Sequence, residues 1–224
     1  MDAPTTPDTT TYLLVHRALR TSSRRLAEVT AAYDRQDPRR TRSLVRWCEG
    51  FIEEIHCHHT IEDEAMFPAL VARAPEAAEL IARTDADHAQ MDGIMVRLAA
   101  GLELLRSGGS ARELHLAALE LADLLDAHLA FEDEFVIPMF ERHFTAEEYQ
   151  RLDEEAMEIL GISKQALFTV PFVLSQATDE EFEQAWDTAP APFKVLYLAS
   201  RGRYRRMTDR ALGTTPARVL EAVS

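Results

Sequence analysis

A chain of 224 residues and 25.3 kDa holds one large domain, or one domain with an appended piece. Its 46% hydrophobic and 28% charged residues describe a globular protein, too apolar for wholesale disorder. Lys and Arg number 24 against 38 Asp and Glu, a formal charge of −14 that repels phosphate backbones and excludes a general nucleic-acid binder.

With only 8 glycines and few β-branched alternations, the chain reads as all-α. Apolar residues recur at three- and four-residue spacing in four long stretches. The first runs from Tyr12 to Tyr33 and stops before Asp37-Pro38. The second runs from Thr41 to Phe67 and ends near Pro68. The third starts near Pro75 and reaches Arg106, before Ser107-Gly108-Gly109. The fourth follows Ser110 and continues to Val136, where Pro138 kinks or ends it. Short connections between helices of similar length predict an up-down-up-down four-helix bundle over residues 10–143.

Residues 144–224 form a C-terminal helical extension expected to pack on that bundle. Thr145-Ala-Glu-Glu148 and Thr178-Asp-Glu-Glu181 are capping boxes that start two further helices, the first stopped by Gly161. Between them, Ser163 to Gln176 is amphipathic or nearly wholly apolar and contains Pro171, which predicts a kink or a pair of short helices. From Thr188 onward, seven basic residues (Lys194, Arg201, Arg203, Arg205, Arg206, Arg210 and Arg218) face only Asp209 and Glu221. The expected role of that segment is to dock its charge on the acidic bundle; its protein partner, if it has one, is not identified by the sequence.

No apolar run approaches the roughly 20 residues of a membrane span. The segment Met1 to Thr11 is polar, without the charged-then-apolar pattern of a signal peptide. Cys48 and Cys57 would lie on opposite sides of one helix, about 13 Å apart along its axis, and cannot pair there. Reduced thiols and a cytoplasmic location are expected.

An internal repeat carries the chemistry. His58-His-Thr-Ile-Glu62-Asp-Glu64-Ala-Met-Phe-Pro68 aligns at a constant offset of 70 with His128-Leu-Ala-Phe-Glu132-Asp-Glu134-Phe-Val-Ile-Pro138. Each copy follows, by about 40 residues, a helix with an isolated histidine, His16 and His88 respectively. Residues four apart on a helix differ by about 40° in direction and about 6 Å along the axis, so His-x-x-x-Glu aims an imidazole and a carboxylate at one point. Two antiparallel hairpins would converge His16, His58, Glu62, His88, His128 and Glu132 in the bundle interior. Four imidazoles and two bridging carboxylates, with no thiolate, suit a pair of first-row transition ions. A single His-x-x-x-Glu occurs by chance; two copies with matching flanks and a lone histidine on each partner helix do not. The ferritin-like alternative needs Glu-x-x-His on two helices, and only Glu53-x-x-His56 matches it.

His16, His58-x-x-x-Glu62, His88 and His128-x-x-x-Glu132, with the Phe67-Pro68 ending, resemble the hemerythrin-like (HHE cation-binding) family over about residues 12–143. The resemblance implies a four-helix bundle with a non-heme di-iron centre, oxo- or hydroxo-bridged, that engages O2, peroxide or NO. It implies that His16 and His58 serve one iron, that His88 and His128 serve the other, and that Glu62 and Glu132 bridge them. Oxygen-carrying members have a second histidine one turn after the third-helix ligand, where this chain has Asp92. Asp92 therefore offers a carboxylate in place of an imidazole, or leaves a solvent site. His59, about 100° round from His58, offers either a further ligand to the His16 iron or a hydrogen-bond donor behind the ligands. Tyr12, one turn before His16, supplies a hydroxyl near the centre.

Three functions are compatible with this reading. The first is a di-iron protein that binds and reduces small oxidants, an oxidoreductase of O2, H2O2 or NO. The second is a di-iron oxidase or oxygenase whose apolar Phe168–Leu174 stretch caps the bundle mouth and shapes a pocket for an organic substrate. The third is a binding module that responds to iron or oxygen.

Overall fold

The computed structural model describes residues 6–33, 37–160 and 164–213. Gly161, Arg218 and Glu221, invoked above, lie outside the described residues. Among those described there is no strand, and ten α-helices carry the chain. Helix α1 spans Thr10–Ala31, α2 Pro38–Ile61, α3 Phe67–Arg73, α4 Ala78–Arg106, α5 Arg112–Phe131 and α6 Ile137–His143. The remainder is α7 Ala146–Leu160, α8 Ala166–Leu174, α9 Asp179–Thr188 and α10 Ala191–Leu212. None of these helices is long and apolar enough to cross a membrane.

The bundle is built from α1, α2, α4 and α5, with α1 against α5 and α4 against α5 as its broadest contacts. On α1 the buried positions Leu14, Ala18, Leu19, Ser22, Leu26 and Val29 recur every three or four residues, so one stripe faces inward. Trp47, Phe51 and Ile55 of α2 and Met91, Met95 and Leu98 of α4 form the facing stripes and are fully packed. Asp37 caps α2 by accepting from the Arg39 amide, with Pro38 at the first helical position. Gly108, at φ 91°, turns the chain between α4 and α5. Gly101 lets those helices cross closely: a Cβ there would lie 2.8 Å from the Leu114 backbone.

The two repeat segments do not end at their prolines. Glu62–Met66 and Glu132–Val136 are each one turn of π-helix, after which α3 and α6 continue to Arg73 and His143. The amide of Phe67 donates to the Glu62 carbonyl and that of Ile137 to the Glu132 carbonyl, five residues back in each case. In a regular α-turn the ring of Pro68 would strike the carbonyl four residues earlier; the wider turn relieves this without breaking the rod. The sequence expectation of a helix end or a kink is thus replaced by a local widening that starts at each motif's glutamate.

The helices after the bundle cover two of its surfaces. At the repeat end, Tyr149, Leu152 and Ala156 of α7 join Met66, Phe67, Leu70, Val136 and Phe140 in a second apolar cluster. Thr145 and Glu148 make the reciprocal cap predicted for α7, and Thr178 with Glu181 does the same for α9. Helix α8 is a single short helix with Pro171 inside it. It lies along α2, with Phe168 over Gly50, Phe172 beside Phe51, and Thr169 and Gln165 donating to the buried Glu54 carboxylate. Burial pushes the Glu54 carboxyl above the usual range, against the opposing effect of those two donors.

Helix α10 packs on α2 and α8 through Tyr197, Ser200, Tyr204, Ala211 and Leu212, while Arg203, Arg205, Arg206 and Arg210 stay exposed. The basic segment is therefore held by its apolar face, with those arginines turned outward. Among the described residues, these four arginines make no salt bridge to the acidic bundle surface expected from charge.

Candidate metal centre

Four helices each bring an imidazole to the same level of the bundle. His16 sits in the first half of α1, His88 in the first half of α4, and His58 and His128 in the last turns of α2 and α5. Glu62 and Glu132 open the two π-turns. His16, His128 and both glutamates are 0% exposed; His88 and His58 are nearly so.

The carboxylate oxygens are shared between the two halves of the repeat. Glu62 Oε1 lies 3.2 Å from His58 Nε2 on its own helix, and Oε2 lies 3.4 Å from His88 Nε2. Glu132 mirrors this, with Oε1 3.2 Å from His128 Nε2 and Oε2 3.5 Å from His16 Nε2. Two groups of donors result, with the ligand atoms of each within 4.8 Å of one another: His16, His58, Glu62 and Glu132, and His59, Glu62, His88 and His128. Both groups contain Glu62, and the oxygens of Glu132 reach histidines of both.

The far side of the rings is held by aspartates, and the pairing crosses between repeats. Asp133 follows the second motif glutamate and meets His16 Nδ1 of the first hairpin at 2.7 Å. Asp63 follows the first motif glutamate and meets His88 Nδ1 of the second hairpin at 2.9 Å. Asp87 lies 3.5 Å from His128 Nδ1. Arg20 donates to the second oxygen of Asp133 at 2.7 Å, and Asp126 links Arg20 to Arg24 at the surface. Burial opposes ionisation of Asp133, but His16 and Arg20 together hold its pKa below the usual carboxylate range. An ionised aspartate on Nδ1 keeps that nitrogen protonated and turns the Nε2 lone pair inward, as metal-bound histidines require.

Inside the ring of donors His88 Nε2 and His128 Nε2 face each other at 3.2 Å, but most of the other polar atoms lack partners. His16 Nε2, His58 Nε2, both nitrogens of His59, Glu62 Oε2 and both oxygens of Glu132 are buried without a hydrogen bond. Each such atom costs about 1–3 kcal/mol left unsatisfied, and packing them around one small volume multiplies the repulsion between lone pairs. Burial pushes the pKa of His58 down to about 3, and that of His59 well down, against the attraction of Glu62. Burial and the neighbouring Glu62 raise Glu132 well above the usual range, so the two carboxyls do not both ionise without added positive charge. Burial opposes the charge of His88 as well, but Glu62 and Asp63 outweigh it and hold its pKa up at about 9. The missing ingredient is positive charge that accepts lone pairs, which a metal cation supplies and a proton network supplies only in part. The residues present fit a metal pair.

Tyr12 points its hydroxyl at the same place and donates to Glu62 Oε1, with its ring 4.6 Å from that of His16. Burial and the two glutamates raise its pKa well above the ordinary value, so it is a neutral donor.

The six ligand candidates from the repeat, His16, His58, Glu62, His88, His128 and Glu132, thus meet in one place. His59 is brought there too, but on the other side from the one expected: its ring stacks on His88 at 3.9 Å and stands 5.7 Å from His128. Asp92 is not brought in. It is exposed, 3.8 Å from His56 on the outer faces of α4 and α2, at the edge of the face that Met91 and Met95 bury. His115 bridges α5 to α1 through Thr30 Oγ1 and the Ala27 carbonyl, and His143 lies near Glu76 at the bundle end. Cys57 is half-buried and its thiol is pushed up to about 11 by burial, so no thiolate competes for the site. The crossed pairing of Asp63 and Asp133 is not legible in the sequence, since their repeat positions mark them while their partners lie on another hairpin.

Residues 9–106 match the family model of the hemerythrin HHE cation-binding domain. Over that span the chain is similar to a hemerythrin-type cation-binding domain. The matched span covers α1 to α4 with His16, His58, Glu62 and His88; His128 and Glu132 follow it. Comparison with curated proteins and with solved structures gave no match.

Proposed function

We propose that the protein is a cytoplasmic non-heme di-iron oxidoreductase that binds and reduces small oxidants of the class of O2, H2O2 or NO. His16 and His58 would hold one iron and His88 and His128 the other, with Glu62 and Glu132 bridging. The observation that carries this reading is the division of the two carboxylates, each offering one oxygen to each hairpin's histidine. Imidazole and carboxylate donors without thiolate favour iron over a structural zinc. Bound there, the iron pair supplies Lewis acidity and reversible one-electron chemistry.

The protein's own contribution is position, dryness and protons. Asp133 and Asp63 fix the inner lone pairs of His16 and His88. The stripes Trp47, Phe51, Ile55 and Met91, Met95, Leu98 exclude water from the bundle beyond the ligands. Tyr12 keeps a proton on its hydroxyl beside Glu62, within the donor ring where a reduced oxidant needs one. The pocket expected for an organic substrate is not supported, because Phe168 and Phe172 lie along α2 beside Gly50 and Phe51. A small oxidant is the better-supported partner for so enclosed a site.

The test is purified protein with its iron measured, its near-ultraviolet absorption recorded before and after dithionite, and its decay of H2O2 or NO followed. The reading predicts two irons per chain, bands that dithionite bleaches, and oxidant consumption at least about tenfold lower in His128→Ala. Stoichiometric zinc, or background rates with all three oxidants, would contradict it.

A further inference from the structure

We infer that the outer stripe of α2 is a docking surface for a second copy of this chain. Two copies pair through it about a two-fold axis, with their α2 helices antiparallel. The surface lies outside the ring of metal donors, and the inference stands or falls independently of the metal reading.

The stripe consists of Arg39, Arg42, Arg46, Glu49, Glu53 and His56, every one of them exposed. Spacings of three and four residues keep them on one side of the helix. The stripe is basic along its first half and acidic along its second, so it is complementary to its own reverse. In an antiparallel pair centred between Trp47 and Cys48, Arg46 falls opposite Glu49 of the second copy and Arg42 opposite Glu53. Arg39 falls opposite His56, beside which Asp92 stands at 3.8 Å. Two-fold symmetry makes each of these contacts twice and closes the assembly at two chains. A parallel pairing sets arginine on arginine. A slip of one turn brings Arg46 onto Arg46, or Glu49 onto Glu49, at the axis.

The charges concerned are also spare. Elsewhere exposed arginines find carboxylates within the chain, as Arg24 does with Asp126, Arg73 with Glu148 and Arg97 with Glu120. Arg42, Arg46 and Glu53 form no ion pair among the described residues, although acidic residues outnumber basic ones 38 to 24. Glu49 is already held by Arg106 of α4, and Arg46 of a second copy would complete a three-charge group there.

Neighbouring helices extend both halves. Phe168 touches Trp47 of α2 and Tyr204 of α10, and the C-terminal half of α10 carries the exposed Arg203, Arg206 and Arg210. On α4, between the points where Asp92 and Arg106 reach α2, Val96 is 70% exposed and Ala99 is exposed beside it. These give apolar surface for the pairing to cover. Exposed ion pairs are individually weak, so the dimer is weak and sensitive to salt.

The experiment is sedimentation equilibrium of the full chain at about 0.1 M and about 1 M salt. At the lower value the Debye length is about 10 Å, so facing charges count while the −14 of the whole chain is largely screened. The samples are wild type, Arg42→Glu, Glu53→Arg, the double variant, and an equimolar mixture of the two single variants. Both positions are exposed, so the fold is retained, which circular dichroism checks. The proposal predicts a wild-type dimer that dissociates at the higher salt. It predicts a dissociation constant at least about tenfold higher in either single variant, where like charges face each other across the axis. The double variant regains the dimer, because the exchanged charges meet again. The mixture forms a heterodimer, since one variant carries acid at both positions and the other base at both. Wild type that stays monomeric at about 0.1 M salt overturns the proposal, as does a dimer whose affinity neither single variant changes. Single variants that fail to pair on mixing overturn it too, because the antiparallel axis requires that pairing.

Discussion

At the scale of single residues, the centre is a problem in lone pairs that only added positive charge resolves. Seven buried donor atoms face inward without partners, while aspartates hold the outer faces of two rings. The Asp133 carboxylate is half of what orients His16, so Asp133→Asn should weaken metal binding about tenfold to a hundredfold while leaving the helical circular dichroism unchanged. Competition with a chromophoric chelator measures this. The proton inventory gives a second expectation. Without metal, His88 is charged up to about pH 9, and Glu132 keeps its proton because burial and Glu62 oppose a second negative charge. The raised His88 pKa contributes stability to the metal-free fold that is complete below its ordinary value and is lost as pH rises through about 9. Metal must displace both protons. Uptake near neutral pH should therefore release protons, the one on His88 among them, and affinity should climb with pH until His88 has titrated. Unbuffered titration with an indicator reads the release directly; a release of none would mean that the donors are already deprotonated and the electrostatic account is wrong.

At the scale of helices, the sequence revealed periodicity well and local geometry less well. The capping boxes at Thr145 and Thr178 specify helix starts through their own side chains, and both are found. The prolines at 68 and 138 signal only that a regular α-turn cannot continue. Whether the rod stops or widens depends on the packing of α3 and α6 beyond it, which no local pattern encodes. Helix α8 shows a related limit. Its apolar run announces burial, yet its partner is set by Gly50, where a missing Cβ admits the Phe168 ring. A methyl group at Gly50 would sit 2.6 Å from that ring, so Gly50→Ala should destabilise the protein by about 1–3 kcal/mol. Thermal or urea unfolding would show it, and an unchanged midpoint would mean α8 docks elsewhere. Helix α9 is attached differently, by Arg17 reaching the Glu181 carboxylate with two donors at 2.8 Å. Arg17 and the Thr178 amide lower the Glu181 pKa to about 2. That attachment is present above the ordinary carboxylate pKa and fades as pH falls toward 2. Amide exchange in α9 should accordingly rise in acid earlier than exchange in α1, and Arg17→Ala should remove the difference in its pH dependence.

At the scale of the whole molecule, the fold is two helical hairpins that exchange support. The glutamate of each reaches a histidine of the other, and the aspartate after each glutamate holds a ring of the other. This much could be read in part: the constant offset between the repeats and the isolated His16 and His88 mark the helices that carry the candidate donors. The side on which His59 falls, the exposure of Asp92 and the outward arginines of α10 could not be read. Each depends on which neighbour occupies a helix face, and a single helix's sequence does not state that. Helices α7 to α10 then close the structure, α7 at the level of the π-turns and α10 along α2. The central claim is that these hairpins hold two metal ions side by side between His16/His58 and His88/His128. Anomalous diffraction from crystals of iron-loaded protein, recorded on both sides of the iron absorption edge, tests it most directly. The account predicts two peaks inside the bundle, separated by the carboxylates of Glu62 and Glu132. A single peak, or peaks only at surface carboxylates such as Asp85, would contradict it.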